Sequence, residues 1–130
     1  MTNRTASFIG KGDTAFTATS EDDIARFVSL AFQHLPDSEL QNRSLQVAGR
    51  NLTVNQLFKE AAKEGGKDWT FNILSLEEGE KRSKDLSLGV ESFVAWLVLG
   101  VEKGVAAITP NDHEKVHFQP KDNPVDFLRA

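Results

Sequence analysis

The chain has 130 residues, a formal net charge of −4, no cysteine, and 39% hydrophobic and 26% charged residues. This length and composition predict a single domain over residues 1–130 with one buried core. The acidic balance argues against a nucleic-acid partner, and the lack of cysteine excludes disulfides and thiolate chemistry and is typical of a reducing compartment.

Membrane and export segments are not indicated. The longest apolar run, FVAWLVLGV, is far shorter than the about 20 residues that span a bilayer, and the first residues lack the apolar core of a secretory signal. We therefore expect a cytoplasmic protein with no membrane partner.

The first predicted elements are a strand and a capped helix. Thr14–Thr19 alternates and is rich in threonine and phenylalanine, which indicates a strand, and Ser7–Ile9 is its expected hairpin partner. Ser20 is placed to cap the next helix, with Asp23 at the capping-box position, and apolar residues then follow helical spacing until Pro36. Asp23 is accordingly expected to serve in capping and surface pairing.

A second strand and helix follow. Ser44–Ala48 (SLQVA) is predicted as a strand that Gly49 closes. Thr53 caps the next helix, with Gln56 three residues later, and a glycine pair at residues 65–66 ends it.

The second half begins with a third strand and ends with helices. Trp69–Leu74 alternates as a strand, and residues 77–85 form a charged, helical surface segment. Leu86–Val101 is apolar all round, so it needs cover on every side, and the tail from Pro124 is a short closing helix. Together these elements predict an α+β fold in which a small sheet of three to four strands packs with three to four helices.

A glycine pattern, Gly10-x-Gly12-x-x-Ala15, formally matches a dinucleotide-binding loop. That loop functions only where a helix begins directly after it and holds the pyrophosphate at its N-terminus. A strand-like segment, DTAFTAT, follows instead, so we interpret the pattern as a turn.

Three segments carry a family resemblance: SFIGKGDTAFTATSEDDIARFV, HLPDSELQNRSLQVAGRNLTVNQLFKEAAKEGGK and WTFNILSLEE. With the Asp23-Ile24 helix opening, the unit from Gly49 to Leu57 and the closing Pro124-x-x-Phe127-Leu128, the chain resembles the second half of NmrA-like proteins. These atypical relatives of short-chain dehydrogenases include isoflavone-reductase-like enzymes and fungal nitrogen-metabolite regulators. The resemblance extends from about Ser7 to Leu128.

The resemblance implies a substrate lobe. In the family a Rossmann half precedes this region and carries the cofactor loop and the catalytic lysine of the reductases. No residue of this chain corresponds to those positions, so the resemblance implies a stand-alone substrate lobe with no cofactor.

Three residues are candidates for proton transfer. Glu91 is the one carboxylate between Leu88 and Val101, where nearby aromatic side chains can raise its pKa; an exposed charge at the helix start is the alternative. His113 and His117 are four residues apart and would face one metal or form an acid–base pair on a helix, but the segment has a strand-like continuation. A plain surface segment is the alternative for both, and no metal site is assigned.

Candidate substrate-binding residues are Trp69, Phe93 and Trp96, which either line an apolar ligand pocket or belong to the core or an interface. Two functions of different class follow. The first is a cofactor-independent isomerase, cyclase or dehydratase acting on a hydrophobic small molecule; the second is a non-catalytic regulatory or binding protein. We also expect a homodimer, built through the Leu86–Val101 helix and an exposed strand edge.

Overall fold

The computed structural model describes residues 5–65 and 69–129 and shows an α+β fold. The strands are β1 (Thr5–Ile9), β2 (Ala15–Ala18), β3 (Arg50–Thr53) and β4 (Thr70–Leu74). The helices are α1 (Glu21–His34), α2 (Asp37–Leu40), α3 (Val54–Gly65), α4 (Leu76–Lys84), α5 (Val90–Glu102) and α6 (Pro124–Arg129). The predicted fold class is therefore confirmed, and the described residues form four short strands and four main helices, α1, α3, α4 and α5.

The strands form two separate two-stranded sheets. β1 pairs in parallel with β4, from Thr5 opposite Thr70 to Ile9 opposite Leu74, while β2 pairs antiparallel with β3. The prediction that Ser7–Ile9 forms a hairpin with the next strand is therefore wrong. Gly10 and Gly12 have φ angles of 78° and 72°, and this left-handed turn carries the chain from one sheet to the other.

The capped helices are confirmed. Ser20 accepts a hydrogen bond from the Asp23 N–H at 3.0 Å at the start of α1, and α1 ends just before Pro36. Thr53 and Gln56 form a reciprocal capping box at the start of α3, with N···O distances of 2.8 and 3.1 Å. The expected strand at β4 and the charged helix at α4 are also present.

The strand predicted over Ser44–Ala48 is wrong, because β3 begins later, at Arg50. The backbone of the SLQVA segment bonds to a distant loop instead of to a strand. Gln46 N–H donates to the Asp112 carboxylate at 2.7 Å, and Ala48 N–H donates to His113 Nε2 at 3.0 Å. These side chains thus accept the backbone hydrogen bonds that a neighbouring strand would accept if the segment formed the strand that its alternating pattern suggests.

The apolar segment Leu86–Val101 contains a break that the sequence-based prediction missed. Leu86–Leu88 forms a 3-10 turn capped by Asp85, and α5 begins only after Gly89, whose φ of 58° and ψ of −120° suit glycine alone. Within the described residues, no helix is long and apolar enough to cross a membrane.

Within residues 5–65 and 69–129, the core has two buried clusters. One joins α1 to the 3-10 turn at Glu114–Val116 through Phe27, Ala31, Val116 and Phe118. The other joins β1 to α5 through Ile9, Ala95 and Leu99. The second cluster positions α5 against the parallel sheet and so forms the floor of the candidate site.

Candidate functional site

A cavity of ≈ 300 Å³ lies between the parallel sheet and α5. Its walls are apolar and come from β1, β4 and α5: Phe8, Ile9, Leu74, Val90, Val94, Ala95 and Val98. Three polar side chains complete the lining, those of Ser7, Arg82 and Glu91. An apolar recess with a few polar groups is the usual form of a small-molecule site.

Glu91 and Arg82 bring opposite charges to this cavity. Glu91 lies in the first turn of α5, where the helix dipole favours its carboxylate, and Arg82 comes from α4. Neither side chain takes part in an ion pair within residues 5–65 and 69–129. Both charges are therefore available to a bound molecule, the carboxylate for proton transfer and the guanidinium for an anionic oxygen.

Phe93 and Trp96 lie together on the outer side of α5. Their rings are stacked, with centroids 6.0 Å apart and an interplanar angle of 20°, and the residues are 58% and 60% exposed. Trp96 lines a second groove, of ≈ 560 Å³, which also contains Leu97, Gly100 and Val105. These two aromatic residues therefore do not line the cavity that contains Glu91.

Trp69 belongs to a third region. Its ring packs against Phe58, with centroids 5.0 Å apart, and Phe58 in turn contacts Phe71. These residues line a depression of ≈ 280 Å³ between α3 and β4. The structure thus divides the three aromatic residues predicted to bind substrate between two places.

His113 has a structural environment. Its Nε2 accepts the Ala48 N–H at 3.0 Å, and its ring lies 4.9 Å from the Phe118 ring and 6.2 Å from the Phe27 ring. An imidazole that accepts at Nε2 is neutral and carries its proton on Nδ1. His113 therefore holds the SLQVA segment against the first core cluster.

His117 lies close to His113 along the chain but is oriented differently. It has a left-handed backbone (φ 55°). Its exposed ring is in an edge-to-face arrangement with the His34 ring, and the two ring centroids are 4.8 Å apart. Both predicted histidines line one depression of ≈ 390 Å³ with Glu114. No group of three or more metal-binding side chains occurs in the described part of the chain.

Sequence reasoning missed Arg82 and Asp112. Arg82 belongs to the run EEGEKRSKD, which has the pattern of a solvated helix face and gives no sign of a cavity. Asp112 accepts from Lys115 and from the Gln46 N–H, and these two hydrogen bonds lower its pKa below the ordinary value. No local sequence pattern shows that Arg82 lines a cavity or that Asp112 binds the Gln46 backbone.

Comparison with known proteins gives a match at the level of the fold. No protein-family model matches the chain, and no curated protein matches it significantly. The structure is similar to the crystal structure of a nucleoside-diphosphate-sugar epimerase from Staphylococcus aureus, with a TM-score of 0.65 and 21% sequence identity. The match covers 97% of this chain and 43% of the epimerase chain.

The chain thus spans less than half the length of the solved structure it matches. The similarity shows that the fold corresponds to part of that longer chain. At this identity it shows the fold alone.

Proposed function

We propose that the chain binds a hydrophobic small molecule in the ≈ 300 Å³ cavity and converts it without a cofactor, as an isomerase, cyclase or dehydratase. The observation that carries the proposal is the combination of apolar walls with one carboxylate and one guanidinium, neither of them in an ion pair within the described residues. Reactions of this class need a shaped apolar site and one or two groups that transfer protons.

Glu91 is the proposed proton-transfer group. Its carboxylate takes a proton from a carbon or oxygen of the substrate and returns one at another position. In a dehydration the returned proton goes to a hydroxyl, whose C–O bond breaks as water leaves, so no oxidant or reductant is needed. Arg82 is the proposed partner of the substrate oxygen on which negative charge develops. In this arrangement Phe8, Leu74 and Val98 hold the apolar body of the substrate.

The substrate class differs from that in the name of the similar epimerase. A nucleoside diphosphate sugar carries a diphosphate that calls for several donors or cations. Among the described residues that line the cavity, Arg82 is the single cationic side chain, and the walls are otherwise mainly apolar. These features favour a hydrophobic metabolite with at most one anionic group.

The proposed family is the NmrA-like one, with the chain as its substrate lobe. The three quoted segments and the partial match to a short-chain-dehydrogenase-like fold support this assignment. Under this assignment, no residue of this chain corresponds to the family's cofactor loop or to the catalytic lysine of its reductases.

Ligand binding is tested by native mass spectrometry of protein purified from its own cells. We expect a co-purified hydrophobic compound on the wild type and its loss in Val94→Trp, which fills the cavity. Val28→Trp on α1 is the matched control, because Val28 and Val94 are 46% and 48% exposed. Absence of any compound from the wild type, or its retention by Val94→Trp, would contradict the proposed site.

Catalysis is tested on the compound so identified. We expect Glu91→Gln to slow its conversion by about 10²–10⁴-fold, the usual contribution of a general acid or base. Glu77→Gln, an exposed glutamate in the first turn of α4, should leave the rate unchanged. His113→Ala and His117→Ala should retain turnover. Full activity of Glu91→Gln would show that Glu91 is not the proton-transfer group. One of these histidines would then have that role, or the proposed catalysis would be wrong.

A non-catalytic regulatory protein is the second candidate function, and the exposed apolar face of α5 favours it, since such faces occur where proteins dock. The two candidates differ in one measurement. Prolonged incubation of the wild type with its co-purified compound changes the compound if the chain is an enzyme and leaves it intact if the chain only binds.

A further inference from the structure

Helix α5 packs one face on the core and leaves the opposite face in water. On the core side, Ala95 and Leu99 pack with Ile9 and are at most 8% exposed. The opposite side carries an apolar stripe with i, i+3, i+4 and i+7 spacing. Its members Val90, Phe93, Val94 and Leu97 are 78%, 58%, 48% and 46% exposed.

This outer face has both a projection and a recess. The projection is Phe93, which stacks on Trp96 in the first half of α5. The recess is the ≈ 560 Å³ groove in the second half, beside Gly100 and Val105. A Cβ added to Gly100 would meet only Val105 within 4 Å, at 3.3 Å, so the groove reaches close to the helix backbone.

In an antiparallel pair of α5 helices, the projection of one copy would face the recess of the other. Phe93 and Gly100 lie equally far along α5 from the midpoint between Trp96 and Leu97. A twofold axis through that midpoint therefore brings Phe93 of each copy opposite Gly100 of the other. Such a contact uses the same patch on both copies and sets the two helix dipoles in opposite directions.

We propose that a second copy of this chain covers the outer face of α5, in an antiparallel twofold pair that seats each Phe93 in the groove beside the partner's Gly100. The area is sufficient. The four stripe residues with Trp96 and Val105 expose on the order of 600 Å² per copy, which matches the lower end of what each side of a stable interface buries.

Two stripe residues, Val90 and Val94, also line the ≈ 300 Å³ cavity of the proposed enzyme site, so the dimer is tested at other residues. Phe93, Leu97 and Gly100 do not line the ≈ 300 Å³ cavity, so substitutions there test the dimer without altering the ligand site. In a Phe93 or Leu97 variant, loss of the dimer is thus a separate result from loss of the co-purified ligand.

The first experiment uses the absence of cysteine from the chain. Leu97→Cys introduces a sole thiol beside the proposed axis, and we expect mild oxidation to convert most of the protein into a disulfide-linked dimer within minutes. Val28→Cys on α1 is the control, because Val28 and Leu97 are both 46% exposed. Equal rates of crosslinking in the two variants, or slower crosslinking in Leu97→Cys, would overturn the proposal.

The second experiment measures mass in solution. We expect light scattering of the wild type at micromolar concentration to give twice the 14.4 kDa of one chain, and Phe93→Glu to weaken the dimer at least tenfold. Phe32→Glu, a control on α1 at a residue that is 72% exposed, should remain dimeric. A wild type that is monomeric, or a Phe93→Glu variant that dimerises with unchanged affinity and native circular dichroism, would show that α5 is not the interface.

Discussion

Asp23 joins the first helix to the tail of the chain. Its carboxylate is 1% exposed and accepts the Lys121 N–H and the Asp122 N–H at 3.1 Å, and it also pairs with the Arg26 guanidinium. The expected role in capping and surface pairing was incomplete, because the Asp23 side chain binds the backbone of a segment about a hundred residues away. Buried backbone N–H groups need such acceptors, and here one carboxylate serves two of them.

Asp23→Ala should lower the free energy of unfolding by about 3–5 kcal/mol, because it leaves two N–H groups and Arg26 without their acceptor. Urea denaturation followed by circular dichroism measures the change. Asp22→Ala, at an exposed neighbouring residue in the same helical turn, should cost less than about 1 kcal/mol. Similar losses in both variants would mean that the helix dipole, and not the tail contact, accounts for the effect.

Asp112 holds the SLQVA segment and makes stability depend on pH. Lys115 first, and then the Gln46 N–H, lower the pKa of Asp112 in the folded state below its ordinary value. A lowered folded-state pKa contributes stability that is present above the unfolded-state pKa, near 3.8, and is lost as the pH falls through the folded-state pKa.

Asp112→Asn should therefore destabilise the fold by about 1.5–3 kcal/mol at pH 7, and the difference from wild type should shrink as the pH falls below about 4. Urea titrations at a series of pH values between 7 and 3 measure it. Glu114→Gln, two residues later on the 3-10 turn, is the control. A difference that stays constant over this range would exclude the charge of Asp112 as the cause.

At the scale of elements, α4 approaches β1 through a glycine. A Cβ added to Gly79 would lie 2.7–2.8 Å from the methyl carbons of Ile9, closer than real Cβ atoms come. Ile9 is 3% exposed and belongs to the cluster under α5, so it has little room to move. The sequence showed Gly79 only as part of a charged helix, where glycine is unfavourable.

Gly79→Ala should destabilise the protein by about 1–3 kcal/mol through overpacking against Ile9, although alanine is the better helix former. Thermal and urea unfolding measure the change, with Lys81→Ala on the exposed side of α4 as the control. If Gly79→Ala raised the stability, α4 would have to lie farther from β1 than the structure shows.

At the scale of the whole molecule, the glycine turn lacks the helix that a dinucleotide-binding loop needs directly after it. The Gly10–Ala15 segment runs into β2, and the next long helix, α1, begins with Glu21, Asp22 and Asp23. Three carboxylates in the first turn repel a pyrophosphate from the helix N-terminus, where phosphates otherwise bind.

We therefore expect the 130-residue chain not to bind NAD or NADP with a dissociation constant in the micromolar range. Isothermal titration calorimetry with all four oxidised and reduced forms measures it. The control is the compound that co-purifies with the chain, which should bind to the same preparation. A micromolar constant for any nicotinamide dinucleotide would contradict both this interpretation of the turn and the proposed cofactor-independent chemistry.

The sequence by itself determined the local elements. Ser20 with α1 and the Thr53–Gln56 box with α3 were predictable, because a cap joins residues only three apart and its signal is contained in a short segment. The apolar character of α5 was predictable for the same reason, since helical spacing reveals that no polar face exists.

Only the tertiary structure decided which segments meet. β1 pairs with β4 more than sixty residues later, Ala48 bonds to His113, and Glu91 shares a cavity with Arg82. The alternation in SLQVA is the same whether its N–H groups find a strand or the side chains of a loop, so pattern alone could not exclude the strand. The packing of the whole chain determines which hydrogen-bond partners distant in sequence meet, and the same packing brings the residues of the candidate site together.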